Sequence, residues 1–384
     1  MNLPGDDEWR LVVSWLVSAL RPGRPFPLLV LQGEHGCGKS FLARVLRGLI
    51  DPSAAPLRRP PREVRDFAIG CRNGWVLAYD NLSGLSPEMS DLLCCVATGG
   101  GFSARQLYTD GEEAIFDFRR PVLVNGIDEI ATRPDLADRA LRVTLARIDR
   151  YVSEDELAAR VNRVMPRVLG ALYDAVSVAL RELDATTTRL RAQQLPRLSD
   201  FALWTSAAES AFGWTQGAAL DTYTRNRGEL VETSLEADVV AAAARRLLEQ
   251  CEDDARGVGV RSWTGTTGDL LEALSRYTTA PPPRDWPQKA RALTDRLRRV
   301  APHLRGAGIT WTRCEPRTSR GQMYELLLTP SAATSDGVRA DDGRPSERPS
   351  PTTTRNHGVN DGRDGRDGEF DSTWGRDAET QEDE

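Results

Sequence analysis

The octet Gly33-Glu34-His35-Gly36-Cys37-Gly38-Lys39-Ser40 constrains this chain more than any other stretch. It sits between the apolar run "PLLVLQ" and a segment carrying Phe41, Leu42, Val45, Leu46 and Leu49 at helical spacing. Strand, glycine loop and helix in that order fit the pattern G-x-x-x-x-G-K-[ST]. Gly33, Gly36 and Gly38 lack a Cβ, so backbone N–H groups can converge on an anion. Lys39 is one of only two lysines in a chain with 50 Lys+Arg. A compact ammonium on a flexible stem reaches phosphates where a planar guanidinium would not fit. The loop therefore predicts a nucleotide-phosphate site with Gly33, Gly36, Gly38, Lys39, Ser40 and Phe41 around the phosphates, and alone it does not separate kinases, GTPases and motor ATPases. The Ser40 hydroxyl is the expected Mg²⁺ contact, and the helix opening at Phe41 adds its positive end.

The next hundred residues extend the site. "GWVLAYDNL" is an apolar run ending in Asp80, placed to bring a carboxylate to the metal beside Ser40. "RRPVLVNG" ends in Asn125, which could orient an attacking water at the carboxyl end of a buried strand. "RALRVTLARI" supplies a third strand, after a helix expected to be capped by Thr132 with Pro134 near its start. Such alternation predicts an α/β fold with a parallel sheet covered on both faces. Between Asp80 and Asn125 the pattern predicts a helix from Pro87 to Ala97. A hairpin of "FSARQLY" and "EEAIFDF" turning at "TDG" follows it.

Composition bounds the rest. At 384 residues, with 40% apolar content, the chain is long enough for two or three domains. No apolar run reaches membrane-spanning length and the acidic start has no signal-peptide pattern, so a cytoplasmic protein without membrane contact is expected. Six cysteines without C-x-x-C spacing, and histidines only at 35, 303 and 357, point to reduced thiols rather than a zinc site. Residues 331–384 hold 14 acidic and 7 basic side chains, leaving a nearly neutral body with 42 and 43. Rich in Gly, Pro, Ser, Thr and Asp, this tail is expected to be a disordered acidic segment.

"TGG" at 98–100, Arg105, Tyr108, an aromatic strand, the strand ending in Asn125 and then Arg139 resemble the ATPase domain of superfamily 3 helicases, as in phage and plasmid primase-helicases. Residues from about 9 to 330 also resemble ATP-binding proteins of mobile elements in high-GC bacteria. The resemblance implies an AAA+-like P-loop core. Lys39 would contact phosphate, Asp80 the metal, and Asn125 would be the sensor. Arg139 would be the arginine finger reaching a neighbouring subunit in a homo-oligomeric ring, expected to be a hexamer. A salt bridge with Asp135 or Asp138 is the alternative for Arg139, with Arg133 and Arg142 as substitutes in the finger role. Two departures stand out. Asn81 replaces the second acidic residue common after Asp80, and an amide cannot take a proton from water. The hairpin tip carries Asp110, Glu112 and Glu113, which repel DNA where a translocating helicase carries a cation.

Domains are expected at 1–150 for the ATPase, 151–255 for a helical lid, 256–330 for a winged helix, and 331–384 for the tail. An apolar helix at 9–20 should pack on the sheet. In the lid the stripe Leu157, Val161, Val164, Val168, Leu172, Val176 and Leu180 is expected to be core, with Pro166 starting a second helix. "TGTTGDLLEALSRYT" reads as one helix, "QKARALTDRLRRVAPHLRGAG" as a second, and "ITWTRCEP" with "QMYELLL" as a hairpin. Lys289, Arg291, Arg296, Arg298, Arg299, Arg317 and Arg320 would then face DNA. The sequence thus predicts a ring-type ATPase, a helicase or helicase loader in replication of a mobile element, any primase being a separate chain. The rival reading is an ATP-switched DNA-binding initiator or regulator with little turnover. A small-molecule kinase is a third, which leaves the strand ending in Asn125 and the winged helix unexplained.

Overall fold

The computed structural model describes residues 2–105, 113–127, 130–131, 133–319 and 321–330. The expected hairpin tip, including Tyr108, Asp110 and Glu112, lies outside these residues, as do Thr132, Arg320 and the acidic tail. Residues 1–332 form one compact unit.

A four-stranded parallel sheet organises this unit. Its strands are β1 (Leu28–Gln32), β2 (Leu77–Leu82), β5 (Val122–Gly126) and β6 (Ala140–Thr144), in the order β2-β5-β1-β6. Side chains alternate across the pleat, so neighbouring residues of one strand enter different cores. Leu29, Leu31, Leu141 and Val143 face one core, and Leu28, Val30, Val122 and Val124 face the other. With both faces buried, the strands read as unbroken apolar runs, which is why the sequence exposes them.

On the first face lie α1 (Asp6–Ala19), α2 (Lys39–Ile50), α6 (Glu154–Leu190), α7 (Ser199–Ala208) and part of α8 (Ala218–Ala237). Three indoles fasten α1 in place, that of Trp75 by donating to the Ala19 carbonyl at 2.9 Å. Trp15 Nε1 donates to the Pro27 carbonyl and Trp204 Nε1 to that of Val17, each at 3.1 Å. The expected packing of the N-terminal helix on the sheet is therefore observed. The second face carries α3 (Val64–Asn73), α4 (Pro87–Thr98) and α5 (Pro134–Ala137). Ser86 caps α4 by accepting from Met89 N, and the hairpin strands β3 (Gly100–Arg105) and β4 (Glu113–Phe118) pair antiparallel beyond it.

Two local expectations differ from the structure. Pro166 does not begin a second helix but sits inside the 37-residue α6. The cost of a mid-helix proline is offset by packing on both sides, where Met165, Val168, Leu169, Leu172, Ala175, Val176 and Ala179 join the core shared with the sheet. The seam contains Val168, Leu172 and Val176 of the expected stripe but leaves it on either side, with Val164 and Leu180 exposed at 38% and 66%. The segment after α6 therefore shares its core with the sheet.

A third core gathers α9 (Val239–Glu249), α10 (Thr267–Ser275), α11 (Ala290–Gly306), β8 (Ile309–Arg313) and β9 (Met323–Leu328). The second difference is β7 (Arg261–Thr266), a strand where the start of a helix was expected. It pairs with β9, giving a sheet ordered β7-β9-β8. Trp263, Thr264 and Thr266 suit a strand, but Gly265 interrupts so short a run, and the partner lies some sixty residues on, so pairing decides its state. Thr266 then opens α10 with a capping box, exchanging hydrogen bonds with Asp269. Among the described residues no helix is long and apolar enough to cross a membrane.

Candidate functional site

β1 ends at Gln32, and the chain turns through Gly33, Gly36 and Gly38 at φ of 145°, 76° and 87° before α2 begins. A Cβ at Gly33 would lie 2.8 Å from Cys37 Sγ and 2.9 Å from the Leu145 carbonyl, so both backbone angle and space demand glycine there. Lys39 Nζ folds back over the loop, donating to the carbonyls of Gly33 at 2.7 Å and Glu34 at 2.8 Å. These are weak neutral partners for a full cation, ones that a phosphate oxygen would replace.

Ser40 Oγ, in the first turn of α2, donates to Asp80 Oδ1 at 2.8 Å. Asp80 lies within β2, where the pairing with β5 shifts register between Tyr79 and Leu82, and Asn81 follows it at φ 57°, a left-handed conformation for a residue with a Cβ. Its backbone N–H donates to Asn125 Oδ1 at 2.9 Å. Asn125 is 1% exposed, and its Nδ2 is buried without a partner among the described residues. An orphaned amide donor is costly, so its persistence beside a cleft calls for an external acceptor.

That cleft, about 310 Å³, is lined by His35, Gly36, Gly38, Lys39, Ser40, Phe41, Arg44, Asn81, Asn125 and Ile127. Two hollows of about 320 and 370 Å³ lie elsewhere, but their cations are engaged, Arg245 with Glu232 and Arg225 with Asp7. Size does not separate the three. The unmet donor and the glycine loop do.

The structure thus brings Gly33, Gly36, Gly38, Lys39, Ser40, Phe41, Asp80 and Asn125 together, and places Arg139 apart. Arg139 ends the turn after α5, with its side chain only 13% exposed and Nη1 donating to the Asp135 carbonyl at 2.6 Å. Arg133 holds the Pro87 carbonyl and Asp91, and Arg142 holds Thr233 and Glu229. Sequence reasoning missed the segment after β6. Ile148 Cδ1 lies against Gly38, Tyr151 Oη against Gly36, and Arg44 pairs with Glu154 at 2.9 Å. No motif marks these residues, whose position follows only from β6 lying beside β1.

Residues 1–232 match the family model for the actinomycete integrative conjugative element replication protein, and residues 240–337 match the RepA C-terminal domain of the same elements. The chain belongs to this RepA family. The expectation of a mobile-element replication protein therefore holds at the level of the family. No curated protein sequence matches the chain. Among solved structures, the chain is similar to Cch of SCCmec type IV, described as an active helicase, with 13% identity and a TM-score of 0.42. The match covers 84% of this chain and 66% of that one, so the chain spans just under two thirds of it. The apo C-terminal region of NrS-1 matches at 11% identity and TM-score 0.34, over 83% of this chain and 71% of that one. JCV helicase bound to a thiazolopyridinyl phenoxyphenyl acetamide matches at 10% identity and TM-score 0.24, over 62% of this chain and 64% of that one.

Proposed function

We propose that this RepA-family chain is an ATP-binding and ATP-hydrolysing P-loop protein of the superfamily 3 kind, acting on DNA in replication of its element. One observation carries the reading: the loop ending in Lys39 and Ser40, the carboxylate of Asp80 and the unmet Asn125 amide converge where adjacent parallel strands end. Lys39 would leave its two carbonyls for the β and γ phosphates. Ser40 and Asp80 present hard oxygens 2.8 Å apart, a donor set suited to Mg²⁺, which binds through one or two such groups and keeps several waters. When bound, the ion would neutralise phosphate charge. Asn125 Nδ2 would donate to the attacking water or the γ-phosphate while its Oδ1 fixes the backbone at Asn81.

The C-terminal unit supports a DNA-binding role. Its order α9, β7, α10, α11, β8, β9, with β9 between its neighbours, supports the winged-helix reading. Arg291, Arg298 and Arg305 recur along the exposed face of α11, spaced to meet phosphates. Arg296 is not among them, because it pairs with Asp238 at 2.8 Å and Asp285 at 3.3 Å. Arg139 remains our choice for the arginine that completes a neighbour's site in a ring. To serve there it must exchange Asp135 for phosphate.

Asn81 favours a second reading, an ATP-switched DNA-binding regulator, since no carboxylate follows Asp80 to accept a proton from water. ATP hydrolysis measured with and without single-stranded DNA separates the two. The motor reading expects stimulation by DNA that Lys39→Ala and Asp80→Ala both abolish. ATP binding without turnover moves the assignment to the switch, and no ATP binding at all removes both.

A further inference from the structure

We infer that Tyr151 is the base-binding residue of this site, presenting its ring to the purine of a nucleoside triphosphate. The inference rests on the nucleotide reading above and concerns the half of the ligand that the loop motif leaves unassigned.

The sheet order supplies the argument. β5 and β2 lie on one side of β1, and they bring Asn125 and Asp80, the groups suited to the terminal phosphate and its metal. β6 lies on the other side. A triphosphate with its reactive end toward Asn125 and its middle on the glycine loop must direct its nucleoside away from β5. The nucleoside therefore emerges on the β6 side, where Leu145, Ile148 and Tyr151 of the chain after β6 form a wall beside Gly33, Gly38 and Gly36 of the loop.

That wall is fixed against the loop rather than lying loosely beside it. Leu145 N–H donates to the Gln32 carbonyl at 2.8 Å, carrying the pairing with β1 to the edge of the loop. Ala146 is gripped by Asn2 through both its N–H, at 3.1 Å, and its carbonyl. From this anchor Ile148 Cδ1 reaches within 3.4 Å of a Cβ built on Gly38, and Tyr151 Oη within 2.6 Å of one built on Gly36. A side chain at Gly36 would displace the phenol from the loop, and the φ of 76° independently favours glycine there. The hydroxyl end of Tyr151 thus sits on the loop while the residue as a whole stays 70% exposed, leaving a ring face open. Ser153 ends the segment by capping α6, which fixes where the ring begins its reach.

An aromatic face beside a phosphate loop suits a base, because every purine presents a broad π-face and stacking needs no directional hydrogen bond. Arg44, one turn past Ser40 and paired with Glu154, closes the same end of the cleft.

The test compares ATP with tripolyphosphate, which lacks a nucleoside, by isothermal titration of the full-length protein and its variants. Tyr151→Ala should weaken ATP about tenfold and leave tripolyphosphate unchanged, while Tyr151→Phe keeps ATP within about twofold. Preference for ATP over CTP should shrink in Tyr151→Ala. Lys39→Ala should lose ATP and tripolyphosphate together, which marks the loop as the phosphate site. Equal ATP affinity in Tyr151→Ala and wild type overturns the assignment while leaving the nucleotide reading intact. Equal losses of ATP and tripolyphosphate in Tyr151→Ala would overturn it too, by showing that the phenol supports the loop. Wild-type protein that binds neither ligand overturns the nucleotide reading and this inference with it.

Discussion

Two polar clusters in this molecule are built from similar groups and end in opposite states. At the cleft, Asp80 accepts from one hydroxyl, Lys39 leans on two carbonyls, and Asn125 keeps an unpaired amide donor. At the other cluster, Asp138 is surrounded. Its Oδ1 accepts from Arg227 Nη2 at 2.7 Å and Nε at 3.1 Å, and its Oδ2 faces His303 Nε2 at 3.3 Å and Arg197 at 3.7 Å. His303 belongs to α11, Arg227 to α8, and Asp138 follows α5, so one carboxylate ties the C-terminal unit to the sheet's helices. Unmet polar capacity facing a cleft marks a place for a ligand, whereas capacity met from several elements marks a joint. The joint also adjoins the site's own scaffold. Asp138 precedes Arg139 and β6, the strand that carries the Tyr151 segment.

Removing each carboxylate breaks or sharpens this contrast. On the proposed function, in which Asp80 serves the metal at the charged end of ATP, Asp80→Asn should lower ATP hydrolysis by about 10³-fold. Its melting temperature should move by less than about 2 °C, because the native partner is a single hydroxyl. Single-turnover hydrolysis and a thermal melt on the same preparation read both quantities. A large loss of stability would mean that Asp80 is also a joint. Asp138→Asn should do the reverse, costing about 3 kcal/mol of stability by removing the buried carboxylate charge that Arg227, Arg197 and His303 all meet. Urea denaturation measures it, and a midpoint equal to wild type would mean that Asp138 joins nothing.

The site was legible where its chemistry is local and the joint was not. Gly33 to Ser40 is one continuous stretch, because phosphate binding uses consecutive backbone N–H groups and the residue types that free them. Asp80 and Asn125 could be found because a strand buried on both faces is an apolar run, and the polar residue ending it stands out. Tyr151 had no such signal, since its place depends on β6 lying beside β1. His303 read as one scattered histidine and Arg296 as one cation in a basic helix. Each instead meets an acid contributed from far along the chain, Asp138 and Asp238. β7 was missed for the same reason: its strand state comes from β9. Helices were easier to find than to orient, as α6 shows. A stripe repeating every three or four residues can be drawn along several neighbouring lines, and only the partner surface selects among them.

Acid titration gives the finest test of the contrast. Burial alone would raise the Asp138 carboxyl, but the His303 hydrogen bond and the Arg227 guanidinium outweigh it and hold the group down at about 2. An unfolded aspartate titrates near ~3.9. The folded value is the lower one, so the stabilisation is complete above about pH 5 and is lost as pH falls through 4 toward 2. Its full size is roughly 2 to 3 kcal/mol, and about half remains at pH 3. The difference in urea stability between wild type and Asp138→Asn should therefore narrow from pH 6 to pH 3, because acid neutralises in the wild type what the amide has already neutralised. A difference that stays constant with pH would show that the variant loses packing or geometry rather than charge, and the cluster would then be a steric joint instead of an ionic one.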